Sequence, residues 1–342
     1  MTPSELHSAT YDGGPVPKVS VIVATYNRGA LLAELLAALE QQTMAPSDYE
    51  VVVVDDASDD DTWDRLDALN STTALRLAAV RLEANGGQGP ARNVGVAMGR
   101  APLVAFTDDD CLPTPGWLHE LTTPFAGADS AVVVQGRVEP WPDDRDDGGV
   151  WARTVWVLRP TWLFETCNIA YRRQAVLDAG GFPGRDRAPA TARGKLVGED
   201  ALLGWRVVEA GAELTFAPEA LVHHRHEPAT YWQWVAALRG RGVFPALVRR
   251  SRFGRRALWM GTFLAPRTAA FDAAVAGVVV GAVTVVPWWL LAVVPWVVLA
   301  WPEARWRKGR PAVVRLVQMA VGDLVGQEAL VVAALRSRCL VL

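Results

Sequence analysis

Residues 273–301 form a run of 29 residues without one charged side chain. This run constrains the chain more than any other feature, because about 18 consecutive apolar residues already make a membrane segment and water does not tolerate such a run uncovered. Trp288, Trp289, Trp296, Trp301 and Trp306 lie in or beside it, as amphipathic rings do near lipid headgroups. Eight of the fifteen tryptophans lie beyond residue 228, and the charge divides at the same place. Residues 1–227 hold 33 acidic and 19 basic side chains, whereas residues 228–342 hold 4 and 15. The net charge of −3 thus conceals a basic second half that calls for an anionic partner. Aromatic residues gathered in an uncharged block, rather than interleaved with charge, speak for an anionic membrane surface and against nucleic acid.

Both flanks of the run are basic: Arg249, Arg250, Arg252, Arg255 and Arg256 precede it, and Arg305, Arg307, Lys308 and Arg310 follow. The positive-inside rule keeps both flanks on the cytoplasmic side, which predicts a hairpin broken at Pro287. Two arms of about 14 residues reach about 21 Å each as helices, short of a hydrocarbon core of about 30 Å. A re-entrant or monotopic insertion therefore fits better than two full spans, unless the first arm begins near Ala257. Residues 312–335, apolar but interrupted by Arg315, Asp323 and Glu328, suit the interface. The competing reading is a buried helical pair or an oligomer interface, so an oligomer stays open.

The acidic half has a different pattern. Short apolar runs at 19–24, 51–54, 75–82 and 103–106 read as buried strands, with helical stripes between them such as Leu31, Leu32, Leu35, Leu36 and Leu39. Strands alternating with helices predict an α/β domain with a mainly parallel sheet. The polar clusters Thr25-Tyr26-Asn27-Arg28, Asp55-Asp56 and Asp108-Asp109-Asp110 each follow a strand, where open α/β sheets bind ligands. No G-x-G-x-x-G follows the first strand and no Walker lysine motif is present, which lowers dehydrogenase and P-loop readings. Gly86-Gly87-Gln88-Gly89 reads as a turn and helix entry. Three cysteines without a C-x-x-C pair make neither a disulfide framework nor a zinc site, and point to a reducing compartment. The first 14 residues carry Glu5 and Asp12 and lack the basic lead and apolar core of a signal peptide.

Three adjacent aspartates are electrostatically costly unless water or a cation compensates. Asp108 and Asp110 are suited to present oxygen ligands to Mn²⁺ or Mg²⁺, an ion that also takes substrate phosphates. The competing reading is a solvated acidic loop.

In order along the chain stand VSVIVATYNR (19–28), VVVVDDASDDDT (51–62), NGGQGPARNVG (85–95), LVAFTDDDCLP (103–113), CNIAYRR (167–173), GGF (180–182), GED (198–200) and FAPEALVHH (216–224). This series resembles the inverting family 2 glycosyltransferases of GT-A fold, over about residues 17–230. With the charge and apolar pattern, this gives three expected regions: an N-terminal tail over 1–16, a GT-A domain over 17–230 implied by the resemblance, and a basic, Trp-rich helical membrane-association region over 231–342. The resemblance implies that Thr25, Tyr26 and Asn27 line a base pocket with Arg28 nearby, and that Asp56 reads the base edge, often uracil. By the same resemblance Arg92 approaches the base or diphosphate, Asp108 and Asp110 hold the cation, and Asp109 faces the sugar or ribose. His224, in preference to His223, completes the cation site. Of the Glu199-Asp200 pair, Asp200 is the expected base and Glu199 a supporting contact.

The expected reaction moves a sugar from a nucleotide diphosphate sugar, UDP-linked by preference, to an envelope glycan or lipid-linked acceptor at the cytoplasmic membrane face. The alternatives are a nucleotidyltransferase, for which TYNR is a poor signature, and a membrane-bound sugar-nucleotide sensor, which would not need Asp108, Asp110 and Asp200 intact. Residues 141–149 and 184–195, rich in Pro, Gly, Asp and Arg, read as mobile loops. The sugar, the acceptor and the linkage depend on these loops and on the surface around Trp205, where the residue pattern carries no code.

Overall fold

The computed structural model describes residues 4–11, 14–126, 132–142, 149–184, 198–306 and 311–342. Most of the two expected mobile loops, residues 143–148 and 185–197, lies outside the described residues, as do Arg307, Lys308 and Arg310. The chain divides into two compact units. The first comprises Met1–Arg145, Thr154–Ala188 and Gly198–His226, and the second Asp146–Arg153, Pro189–Val197 and Glu227–Leu342.

Nine strands form one sheet in the first unit: β1 (Ser4–His7), β2 (Val19–Thr25), β3 (Tyr49–Asp55), β4 (Leu77–Arg81), β5 (Leu103–Phe106), β6 (Cys111–Pro113), β7 (Val133–Pro140), β8 (Ile169–Arg172) and β9 (Leu214–His224). Their order is β1-β4-β3-β2-β5-β8-β7-β9-β6. Strands β2, β3, β4 and β5 pair in parallel, and β7 and β9 run the same way beyond an antiparallel β8. The central sheet is thus mainly parallel, with antiparallel strands at both edges and at β8. Burial on both faces explains the near-continuous apolar runs of β2 and β3. Residues 4–7, expected within a tail, instead form β1 and pair antiparallel with β4.

Helices α1 (Gly29–Glu40), α2 (Thr62–Asn70), α3 (Gln88–Met98), α4 (Trp117–Thr122), α5 (Arg173–Asp178) and α6 (Glu199–Glu209) accompany the sheet. Helix α1 buries Leu32, Leu35, Leu36 and Leu39 against it, the stripe that period 3.6 requires. Helix α3 comes close enough that a Cβ on Gly95 would stand 2.5 Å from Ile22 Cγ2. Each parallel strand from β2 to β5 therefore ends on the same side, and its last residues meet there.

The second unit is helical: α7 (Tyr231–Leu238), α8 (Phe244–Val248), α9 (Arg252–Ala257), α10 (Pro266–Thr284), α11 (Val293–Trp306) and α12 (Ala312–Ser337). The apolar helices extend beyond the charge-free run from which the hairpin is expected. Helix α10 begins at Pro266 and has 19 residues, residues 287–305 make a second candidate of 19, and α12 has 26, so among the described residues three helices are long and apolar enough to cross a membrane. The charged residues that bounded the run are absorbed inside the helical unit. Arg267 pairs with Asp323 (2.8 Å) and Glu303 (2.6 Å), Trp296 Nε1 donates to Asp323 (3.0 Å), and Gln327 donates to Asp272 (2.9 Å). Polar groups matched across helices no longer mark where an apolar segment must stop.

Candidate active site

The site forms where β2, β3 and β5 end and α3 and α6 begin. The three-aspartate run after β5 does not act as one cluster. Asp108 accepts from Arg92 Nη2 (2.7 Å), while Asp109 accepts from Thr25 Oγ1 (2.8 Å) and Arg28 Nη1 (3.0 Å). Asp110 also accepts from Arg28 Nη1 (2.7 Å). Two arginines thus compensate the repulsion that makes such a run costly. Asp109 is buried, and loss of hydration pushes its carboxyl up to about 6 against the pull of Arg28. It braces β2 to the acidic loop.

The TYNR cluster divides in the same manner. Thr25 is buried and spends its hydroxyl on Asp109, whereas Tyr26 is exposed. Asn27 takes positive φ and exchanges bonds with Asp59, through Nδ2 (2.5 Å) and Oδ1 (3.0 Å). Asp56 accepts the backbone N–H groups of Gly86 and Gly87, one on each oxygen, at 2.8 Å. The glycine-rich stretch is a helix entry with Gly87 at φ +91°, and its amides hold Asp56 in place. Ionised carboxylate oxygens keep further lone pairs for a base N–H.

Arg92 is the centre of the arrangement. It is buried on α3 and bridges Asp108 to Asp200, whose Oδ1 it reaches at 3.2 Å. Its guanidinium also lies over the Phe182 ring, 5.7 Å from the centroid. Acids hold its proton well above the ordinary arginine value despite burial. A surface arginine on α3 is therefore excluded.

Asp200 stands in the first turn of α6, which opens at Gly198 with φ +82°. Thr166 donates to Asp200 Oδ2 from its backbone N–H (3.3 Å) and from Oγ1 (2.9 Å). Loss of hydration pushes the Asp200 carboxyl up to about 7; Arg92 opposes this, and Glu199 and Asp108 add to it. That value suits a proton acceptor working near neutrality. Glu199 is buried at the helix start, beside Gly89. Trp205 is fully buried and stacks on Trp162 with centroids 5.7 Å apart.

His224 ends β9 opposite Cys111 in register. Its Nε2 lies 3.5 Å from Asp110 Oδ1, a buried oxygen with no hydrogen-bond partner among the described residues. The ligand atoms of Asp110, Cys111 and His224 gather within 4.8 Å of one another. His223 instead has Nδ1 3.2 Å from the Pro140 carbonyl oxygen. Burial pushes the Cys111 thiol well above its usual value, so the carboxylate and the imidazole are the fitting donors here, for a hard divalent ion. An unsatisfied buried carboxylate oxygen beside an imidazole fits the expected cation. Asp108 pairs with Arg92 and is not among the gathered atoms.

Sequence reasoning missed Thr166, Phe182, the Gly86 and Gly87 amides, and Cys111. Thr166 and Phe182 lay next to or within quoted motifs, but their partners are on other elements.

Residues 20–188 match the family model Glycosyl transferase family 2, so this stretch, about half of the chain, is a family 2 glycosyltransferase domain. Validoxylamine A glucosyltransferase of Streptomyces hygroscopicus subsp. limoneus is 42% identical over 122 residues, 35% of this chain and 26% of the relative. The chain thus spans about a quarter of that curated relative. Glycosyltransferase AglE of Haloferax volcanii is 29% identical over 219 residues, covering 62% of this chain and 68% of the relative. Among solved structures, mannosyltransferase PcManGT from Pyrobaculum calidifontis, in complex with GDP-Man and Mn²⁺, superposes with a TM-score of 0.57 at 21% identity, over 96% of this chain and 90% of the other. S. aureus TarS 1-349 in complex with UDP gives a TM-score of 0.52 at 18% identity, over 94% and 92%. These two likenesses establish the fold.

Proposed function

We propose that this protein is an inverting glycosyltransferase that transfers a sugar from a nucleotide diphosphate sugar, UDP-linked by preference, to a hydroxyl of an envelope glycan or lipid-linked acceptor. The observation that carries this reading is Arg92, which ties the acid after β5 to a carboxylate with its pKa raised to about 7 in the first turn of α6. One end of that bridge would meet the donor diphosphate side, and the other meets the proposed base.

Asp200 takes the proton of the acceptor hydroxyl as its oxygen attacks the anomeric carbon, and the nucleoside diphosphate leaves from the opposite face. Glu199 supports it from the adjacent position. Asp110 and His224 would hold Mn²⁺ or Mg²⁺, which when bound neutralises charge on the leaving diphosphate. Asp56, oriented by two backbone amides, would accept from a base N–H, with exposed Tyr26 and with Asn27 and Arg28 contributing to the base site. The Mn²⁺ and UDP named with the two solved structures support this donor and ion.

The three apolar helices and their basic neighbours support attachment to an anionic membrane, at its cytoplasmic face. Large apolar side chains stand open on them, among them Trp288 at 76% and Leu335 at 75% exposed. The domain limits 17–230 and 231–342 are proposed accordingly, with residues 146–153 joining the helical unit.

The test is to incubate purified protein with a panel of nucleotide sugars and an acceptor extract and to look for free nucleoside diphosphate. Release of pyrophosphate or nucleoside monophosphate instead would overturn the reaction class, and absence of turnover with every donor would leave only a binding protein.

A further inference from the structure

Residues 161–166 run across the start of α6 and engage it at successive points. Trp162 stacks on Trp205 with planes 7° apart, and its carbonyl accepts from Trp205 Nε1 at 2.7 Å. Phe164 is fully buried against Gly204, where a Cβ would stand only 2.1 Å from the ring. Thr166 reaches Asp200 with two donors. The segment is fastened on its other side as well. Glu165 accepts from Gln135 Nε2 on β7 at 2.8 Å and from the Thr161 hydroxyl, and the Thr161 N–H donates to Gln135 Oε1 at 2.9 Å.

Two features set this segment apart from an ordinary connection. Phe164 adopts φ +54°, in the left-handed region that a bulky side chain rarely enters. Such a conformation costs about 1–3 kcal/mol and persists only where its surroundings over-determine it. The surroundings here are the glycine notch on α6 and the Gln135 clamp. The second feature is the division of labour on Asp200: Arg92 occupies Oδ1 and Thr166 occupies Oδ2. A carboxylate on a helix's first turn has free rotation about χ2 unless both oxygens are held.

We infer that residues 161–166 are a strap that orients the Asp200 carboxylate, with Thr166 as a positioning residue for the base. This inference rests on the proposed role of Asp200. Thr166 donates to the ionised form, so it favours the carboxylate over the acid and fixes the plane in which the remaining lone pairs point. The strap makes that orientation independent of substrate, because its anchors lie on β7 and α6.

The test uses the full-length protein and the donor identified by the nucleoside diphosphate assay, with water or the acceptor extract as acceptor. Thr166→Val keeps the shape and the backbone N–H but removes the hydroxyl donor, and Thr166→Ser restores it. The expected result for Thr166→Val is a fall in kcat of about tenfold, the equivalent of about 1.4 kcal/mol, with donor KM within twofold of the parent. The acid limb of its kcat/KM profile should move to higher pH, and Thr166→Ser should recover both. As a readout free of turnover, ¹³C-carboxyl titration, with Asp200 assigned by the signal lost in Asp200→Asn, should show the same upward movement. Unchanged kcat and an unmoved titration in Thr166→Val, alongside an inactive Asp200→Asn, would overturn the strap while leaving the base in place. Full activity in Asp200→Asn would instead remove the base on which the inference rests.

Discussion

Asp200 takes its chemistry from neighbours far away in sequence. Arg92 lies 108 residues before it and Thr166 lies 34 before it, and lost hydration wins over both to raise its carboxyl to about 7. A base must be ionised to accept a proton, so kcat/KM should climb as pH rises through about 7 and fall on the acid side. A flat profile from pH 5 to 8 would remove Asp200 as the base. Asp200→Asn should bind donor normally and turn over about 10²–10⁴-fold more slowly. At the other end of the site, Asp110→Ala and His224→Ala should abolish the gain in UDP affinity that Mn²⁺ confers, measured by calorimetry. Equal UDP affinity of the intact protein with and without Mn²⁺ would contradict a cation there. The acids and histidine of this site were legible from motif order, but their pairings were not. That Asp108 belongs to Arg92, and Asp110 to Arg28 and His224, depends on which side of the loop each backbone turn presents.

At the scale of the elements, β2, β3 and β5 were readable because strands buried on both faces are apolar without interruption. Strand β1 was not, since an edge strand of sequence SELH is held by its ladder to β4 and carries no apolar pattern. Helix packing rests on glycines whose role sequence does not announce. Gly95→Ala would press a methyl onto Ile22 between α3 and β2, and overpacking of this kind costs about 1–3 kcal/mol. Thermal unfolding should show a clear drop in Tm, and an unchanged Tm would mean that α3 has room to recede. Gly204→Ala should be the more damaging, because the rigid Phe164 ring that it meets is itself pinned by the strap.

On the scale of the whole molecule, a helical unit with large exposed apolar side chains demands a cover, and lipid fits its basic margins. The full-length protein should resist extraction from membranes by high salt and should require detergent. Quantitative release by salt alone would replace membrane insertion with an oligomer that buries Trp288 and Trp289. Neutralising Arg249, Arg250, Arg252, Arg255 and Arg256 should weaken binding to anionic vesicles in a salt-sensitive way, by about 1 kcal/mol per residue near the surface.

What the sequence alone determined was the division into an acidic α/β half and a basic apolar half, together with the acids at the strand ends. Both follow from local quantities: the period of apolar residues, the run length between charges, and the residue after each strand. The tertiary structure decided which charges meet. Charge-free length understated the apolar helices because Arg267, Glu303 and Asp323 satisfy one another across three of them. Likewise the sequence singles out Arg92 but not its partners, which α3, β5 and α6 bring together around it. Hydrophobic pattern is a property of neighbours along the chain, whereas charge compensation acts through space between residues that only folding brings within about 3 Å.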